Sequence, residues 1–272
     1  MVVIKSLSNG AIALRKYIAS QFKPSVAKFI YNTFDSKHVL DISSGWGDRL
    51  AGFYASNAQS YVGIDPNTQL IDGYKQQIKL YESITRANKT VRLISQPSEE
   101  VDFSGIGMVD TIFTSPPYYN IEKYGKNSDT DSERQSWKRY RKLDNWMDGY
   151  LFTTLEKAWD RLSTGGKMII NISDVYSNHT HNKICDPMCD FIDSLPDAHY
   201  AGCFGMKLTK RPNSKAAKDG TFIEPMWVFT KGQDISLMDI LTRIPCVIII
   251  YKYIQIVNFW RYLYVEFYTV LF

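Results

Sequence analysis

The stretch Asp110-Thr-Ile-Phe-Thr-Ser-Pro-Pro-Tyr-Tyr-Asn120 decides how this chain is read. Asp110 to Thr114 has the β-branched and aromatic content of a buried strand. Pro116 and Pro117 then stop that strand. Neither has an N–H for a sheet ladder, and each fixes its own φ and pushes the residue before it into an extended conformation. Ser115 and the neighbouring carbonyls are therefore held with little freedom, and Tyr118 and Tyr119 follow at once. A corner of carbonyl oxygens, one hydroxyl and flat rings suits a planar group carrying an NH2: the oxygens accept its hydrogens and a ring covers its face. A Pro-Pro turn whose tyrosines only pack on the surface is the alternative reading.

Upstream, residues 11–20 and 24–34 read as helices. Ala11, Leu14 and Ile18, then Val26 and Ile30, mark one apolar face, and Pro24 suits a helix start. The polar break Gln21-Phe-Lys-Pro-Ser25 between them can touch a ligand or merely connect. His38-Val-Leu-Asp-Ile42 is a short apolar strand, and Ser43-Ser-Gly-Trp-Gly-Asp-Arg49 turns it into a helix through Leu50 and Phe53. Gly45 and Gly47 let backbone approach a ligand, and free amides at a helix start favour a polar or anionic group. The next strand, Tyr61-Val-Gly-Ile-Asp65, ends in a carboxylate 24 residues beyond Asp41. There Asp65 can accept both hydroxyls of a ribose, or cap a helix beginning at Pro66, or do both. A helix over 68–86 leads to a third strand, Val91-Arg-Leu-Ile-Ser95. Its following loop, Gln96-Pro-Ser-Glu-Glu100, would emerge beside the glycine turn and flank an adenine.

Downstream, Gly125-Lys-Asn-Ser-Asp-Thr-Asp-Ser-Glu133 is polar. Lys138, Arg139, Arg141 and Lys142 follow, interleaved with Trp137 and Tyr140. This basic loop, residues 122–142, is either a phosphate-contacting flap or a solvated helix face. Asp144 reads as the N-cap of a helix through Trp146, Leu151, Leu155 and Trp159, closed by Thr164-Gly-Gly-Lys167. Met168-Ile-Ile-Asn-Ile172 is the fifth strand, and Ser173 and Asp174 after it either cap or contact substrate. A helix over 187–195 precedes a hairpin, 200–208 with 224–230, around the basic loop 209–220, which holds Lys210 and Arg211. The spacing His179-x-His181-x3-Cys185-x3-Cys189 has zinc-ligand residue types but lacks a tight Cys-x2-Cys knuckle, and no metal is assigned. Together the elements predict an α/β fold: a doubly wound, mostly parallel seven-stranded sheet with a C-terminal antiparallel hairpin.

With 272 residues and 44% hydrophobic content the chain can bury one large core, expected over residues 1–236. A net charge of +4 does not require a nucleic-acid partner. Cys185, Cys189, Cys203 and Cys246 are too sparse for a disulfide framework and fit a reducing compartment, the cytoplasm of a cell or of the host of a virus that encodes the chain. Residues 1–10 carry no secretory signal. The tail, 237–272, is apolar and aromatic, but Lys252, Gln255, Asn258, Arg261 and Glu266 interrupt it, so a membrane span is not expected.

These motifs resemble those of S-adenosylmethionine (SAM)-dependent amino-methyltransferases acting on DNA, class I methyltransferases with a Rossmann-like sheet, over roughly residues 22–231. Ser115-Pro-Pro-Tyr118 matches the family's catalytic loop fully. Ser43-Ser-Gly-Trp-Gly47 matches its cofactor loop imperfectly, standing where Phe/Pro-x-Gly-x-Gly is commoner, and Asp65 matches the ribose-binding acid. The order of motifs resembles the gamma permutation. The resemblance implies SAM as cofactor, held by Lys23, Pro24, Asp41, Ser43, Gly45, Gly47, Asp65 and Gln96. It implies Ser115, Pro116, Pro117 and Tyr118 as catalytic residues, and Tyr119, Lys138, Arg139, Lys210 and Arg211 as substrate contacts. The substrate would be a DNA base flipped out of the duplex, cytosine N4 ahead of adenine N6 because serine leads the loop. RNA or protein amide methylation, or an inactive nucleic-acid-binding subunit, are the alternatives.

Overall fold

The computed structural model describes residues 21–85, 88–122, 132–177, 180–208 and 222–242. In chain order these form α1 (Pro24–Thr33), β1 (His38–Asp41), α2 (Asp48–Tyr54), β2 (Ser60–Ile64), α3 (Ile71–Thr85), β3 (Thr90–Ile94) and β4 (Val109–Thr114). The short α4 (Ser136–Arg139) and α5 (Leu143–Trp146) follow, then α6 (Thr153–Arg161), β5 (Leu162–Asn171), a small pair β6 (Val175–Ser177) and β7 (Thr180–Asn182), and α7 (Cys185–Asp193). The described chain ends with β8 (Ala198–Leu208), β9 (Phe222–Lys231) and α8 (Leu237–Thr242).

The main sheet has seven strands in the order β3-β2-β1-β4-β5-β9-β8. The strands from β3 to β5 are parallel, whereas β9 runs antiparallel to β5 and β8 antiparallel to β9. The expected doubly wound sheet with its terminal hairpin is therefore present. Helices cover both faces, which is why β1 and β4 are apolar on successive residues rather than on alternate ones. On one face Leu40, Ile112 and Ile170 join Trp146, Leu155 and Trp159; on the other Val39, Phe113 and Ile169 join Ala27, Ile30 and Phe53. Each such side chain contributes about 1.5–3 kcal/mol by leaving water, before the entropy of ordering is counted. The helices α1 and α2 meet at Gly52, where a Cβ would stand 2.7 Å from the Pro24 carbonyl oxygen.

Several boundaries differ from the expectations. The 11–20 helix and the 209–220 loop lie outside the described residues. The helix expected at Pro66 becomes a 3-10 turn, Thr68–Leu70, capped by Asn67, whose side chain accepts the Gln69 N–H at 3.0 Å, and only then α3. Asp144 is not a cap, because α5 starts at Leu143 and its N-cap Lys142 makes no side-chain cap bond. That helix does not run straight to Trp159: a π-helical turn, Met147–Phe152, separates α5 from α6. Thr164-Gly-Gly-Lys167 lies inside β5 as a bulge, with Gly165 at φ +81°, where the register jumps from Val109↔Leu162 to Thr111↔Lys167. The first six residues of the expected tail are α8, whose Leu237, Ile240 and Leu241 are buried in the second cluster. Among the described residues no helix is long and apolar enough to cross a membrane.

Candidate active site at the carboxyl edge of the sheet

Parallel neighbours β1 and β4 deliver their following loops to the same edge. Their register pairs Leu40 with Ile112, and continued three residues it sets Ser43 level with Ser115. Adjacent strands lie about 4.8 Å apart, so the glycine loop and the Pro-Pro corner leave the sheet side by side.

The glycine loop is held from beneath. Asp41 is fully buried and takes hydrogen bonds from Arg49 Nε and from the Tyr61 hydroxyl, both at 2.7 Å. Burial alone would lower the Arg49 pKa, but the Asp41 carboxylate reverses this and keeps the guanidinium charged. Burial, reinforced by Asp41, pushes the Tyr61 phenol well up and keeps it a donor. Arg49 also donates to the Ser43 carbonyl, so charge in the core fixes the first turn of the loop. Asp41, expected at the cofactor, thus lies under the loop with its carboxylate engaged by protein groups.

Above it, Gly45 adopts φ +57° and its N–H donates to Asp65 Oδ2 at 2.9 Å; Asp65 Oδ1 accepts the Asn67 N–H, also at 2.9 Å. Asp65 joins the ends of β1 and β2 and does not cap the helix, a role Asn67 fills. Burial raises its pKa to about 6, against the lowering effect of both N–H donors. A Cβ at Gly45 would meet only the Ser43 carbonyl oxygen, at 3.9 Å, so there is open space beside this backbone. Gly47, at φ +88°, begins α2. Ser43 Oγ and the Tyr150 hydroxyl, from the π-helical turn, are 3.2 Å apart.

The other expected cofactor residues lie on the segments before α1 and after β3. Lys23 is the N-cap of α1, ahead of exposed Pro24, and the preceding Phe22 N–H bonds to Asp48 at the start of α2. Gln96 is exposed on the loop after β3, which the Ser98 hydroxyl ties to the Ile42 carbonyl.

At the Pro-Pro corner, the Ser115 hydroxyl donates to Asn171 Oδ1 at 3.4 Å, and Asn171 Nδ2 donates to the Pro225 carbonyl at 3.0 Å. The Tyr118 N–H donates to Glu122 Oε2 at 3.1 Å. The half-buried Tyr118 ring packs on the main core with its phenol in reach of Ser115; burial, helped by Glu224 and Glu122, pushes that phenol well up. Tyr119 does not face the substrate side as expected. Its φ of +46°, strained for a non-glycine residue, turns the ring into the core, where it lies 5.8 Å from Trp146 and its hydroxyl donates to the Arg141 carbonyl at 2.8 Å.

The expected phosphate contacts are engaged elsewhere. Arg139 forms ion pairs with Glu99, at 3.2 Å, and with Glu100, and Lys138 pairs with Glu133, so the basic segment is drawn against the loop after β3. Lys210 and Arg211 lie outside the described residues. Asp174 caps α7 by accepting the N–H groups of Ile184 and Cys185 at 2.8 and 2.9 Å. Burial pushes the thiols of Cys185 and Cys189 up, and among the described residues no three His, Cys, Asp or Glu side chains are grouped to hold a metal; His179 lies outside them.

Residues not assigned from the sequence complete the site: Arg49, Tyr61, Tyr150, Glu122 and Asn171. Asn171 did carry a signal, as a lone amide ending the apolar run Met168-Ile-Ile.

An S-adenosylmethionine-dependent methyltransferase from Clostridium acetobutylicum superposes at a TM-score of 0.50 over 84% of this chain and 98% of its own, at 10% identity. This is the class I methyltransferase fold. An rRNA methylase from Streptococcus thermophilus gives 0.43 at 15% identity, over 79% of this chain and 100% of its own. The N-terminal domain of EvdMO1, solved with SAH bound, gives 0.47 at 11% identity over 80% and 84%. No family model and no curated protein matches the chain. In a class I methyltransferase fold the crevice where strand order reverses, here between β1 and β4, is where a ligand binds.

Proposed function

We propose that the chain is a SAM-dependent methyltransferase acting on an exocyclic amino group of a DNA base, cytosine N4 ahead of adenine N6. The observation that carries this reading is the neighbourhood of the Ser115-Pro-Pro-Tyr118 corner and the Gly45–Asp65 hollow, at the ends of adjacent strands. Bound SAM supplies an electrophilic methyl group. Asp65 accepts the ribose hydroxyls, Gly45 lets the backbone pass close to the cofactor, Gly47 makes room for Gln77 of α3 beneath the loop, and Lys23 and Gln96 flank the cofactor.

An exocyclic amine is a weak nucleophile because its lone pair is delocalised into the ring. Ser115 Oγ and the Pro116 carbonyl accept its two hydrogens and hold the nitrogen toward a pyramidal shape with the lone pair aimed at the methyl carbon. The N–C bond would form as the methyl carbon's bond to the sulfonium breaks, the electron pair leaving on the neutral thioether; the methylated nitrogen then loses its extra proton to water, so no strong base is needed. Positioning of this kind accounts for several kcal/mol of barrier, on the order of well-oriented intramolecular reactions. The ring of Tyr118 offers a face to the flipped base.

One observation favours a second reading, a protein side-chain amide as acceptor: Arg139 and Lys138 of the basic segment are ion-paired with acids of the protein itself. The test is transfer of a labelled methyl group from SAM to duplex DNA, single-stranded DNA, RNA and protein, with mass spectrometry of the digested product. N4-methylcytosine is the expected product, N6-methyladenine keeps the reaction class, and transfer to RNA or protein alone, or to none, overturns the DNA assignment.

A further inference from the structure

Around Ser115 the backbone offers few hydrogen-bond donors. Pro116 and Pro117 have none by their chemistry. The Tyr118 N–H donates to Glu122 Oε2 at 3.1 Å and the Tyr119 N–H to the Pro117 carbonyl at 2.9 Å. Beside these lies the Ser115 hydroxyl, which on its own can donate or accept.

Its direction is set from β5. Asn171 ends that strand, is 1% exposed, and donates from Nδ2 to the Pro225 carbonyl at 3.0 Å. A carbonyl oxygen only accepts, so the amide must present its nitrogen there and its Oδ1 to Ser115, 3.4 Å away. Oδ1 also only accepts, so in this contact the Ser115 hydroxyl is the donor. At 3.4 Å the contact is longer than an ordinary O–H···O bond. Burial keeps the Tyr118 phenol protonated, and its oxygen, also in hydrogen-bond reach of Ser115, is the competing acceptor for the Ser115 proton.

We infer that Asn171 is a positioning residue that makes the Ser115 hydroxyl an acceptor toward the substrate, so that this corner admits an amino group and rejects a keto oxygen in the same place. The inference rests on the amino-methyltransferase reading and narrows it: cytosine is separated from uracil, or adenine from hypoxanthine, by hydrogen count rather than by shape. A site whose buried groups all accept is left with opposed lone pairs by a keto analogue, which is the situation that gives strong discrimination.

The experiment compares wild type with Asn171→Leu and Asn171→Asp in the full chain. Aspartate, neutral in this buried place with its second oxygen protonated toward the Pro225 carbonyl, keeps an acceptor facing Ser115, and leucine fills a similar volume without one. For whichever acceptor is methylated, kcat, KM, SAM affinity and inhibition by the keto isostere of that acceptor are measured; for a peptide amide the isostere is the methyl ester. Expected for N171L is a fall in kcat of at least tenfold, SAM affinity within threefold of wild type, and at least tenfold tighter inhibition by the keto analogue, since a freed hydroxyl can now donate. N171D keeps the wild-type discrimination. Should a variant at 171 lose SAM binding and so its fold, Ser115→Ala decides: it must weaken the amino acceptor tenfold without gaining the keto analogue. Equal loss for both analogues in N171L, gain of the keto analogue in S115A, or transfer to a hydroxyl or to no acceptor overturns the inference. If transfer goes to RNA or to a peptide amide, the DNA assignment fails while the role of Asn171 is tested on that acceptor.

Discussion

Asp65 carries two opposed demands. Burial raises its pKa to about 6, so folding favours the neutral acid, whereas accepting ribose hydroxyls favours the carboxylate. The sign for stability follows directly. A folded pKa above the unfolded value of about 3.9 contributes stability that is fully present below pH ~4 and lost as pH rises through about 6, at most about 3 kcal/mol. Relative to Asp65→Asn, the wild-type protein without cofactor should therefore gain stability as pH falls from 7 to 5, read as the difference in denaturant midpoint. Cofactor affinity should move the other way: Kd for SAM rises about tenfold between pH 7 and pH 5, and the same titration on D65N is flat and weak throughout. A flat wild-type profile would remove Asp65 from the cofactor. Gly45 separates binding from folding in the same hollow. Gly45→Ala places a methyl group where the protein leaves open space and costs about 1 kcal/mol in left-handed backbone, so its unfolding curve should shift little. SAM binding should drop more than tenfold, because the methyl group stands where the ligand approaches; calorimetry alongside denaturation gives both numbers.

Among the elements, the glycine loop depends on a buried charge pair more than on its glycines. Arg49→Met removes the partner of Asp41, which is fully buried, and should cost about 3–5 kcal/mol by stranding that carboxylate. The double variant Asp41→Leu with Arg49→Met should recover part of the loss, since an apolar pair replaces an ion pair without an orphan charge. If R49M unfolds at the wild-type denaturant midpoint, the loop is held by other contacts. This network shows why the element level was only partly legible. Strands, glycines and acids recur at spacings that name β1, β2 and the turn between them, but that Asp41 faces Arg49 rather than solvent depends on packing against Tyr61 from β2. The π-helical turn was hidden for a related reason: Trp146, Leu151, Leu155 and Trp159 keep an apolar face, and one extra residue per turn leaves little mark on that pattern, yet it brings Tyr150 to Ser43. Gly165 was read as closing the preceding helix because a glycine at positive φ serves equally at a helix end and in a bulge.

Across the whole molecule, the doubly wound sheet was legible because each apolar run ends in chemistry at one edge: Asp41 and its glycines, Asp65, and Ser115 with two prolines. Right-handed crossovers then leave few ways to arrange them. Charge placement was not legible, since composition gives a net +4 and says nothing of which cation meets which acid. The basic cluster expected to face phosphate contains Arg139, whose guanidinium is pulled onto Glu99 and Glu100 of the loop after β3. In that state Arg139 neutralises protein carboxylates and adds little to counterion release from DNA. Glu100 is the more exposed of the two acids, and Glu100→Gln should loosen the pair and return the cation to the surface. If the chain binds duplex DNA along this rim, E100Q should tighten nonspecific binding severalfold at low salt and steepen the slope of log K against log salt by up to about 0.9. Arg139→Ala should change little in the wild-type background but erase the gain in E100Q, because only there is the charge available to phosphate. Fluorescence anisotropy over a salt series measures all four proteins, and an R139A effect of equal size in both backgrounds would mean that Arg139 meets phosphate directly, with its ion pairs giving way on binding.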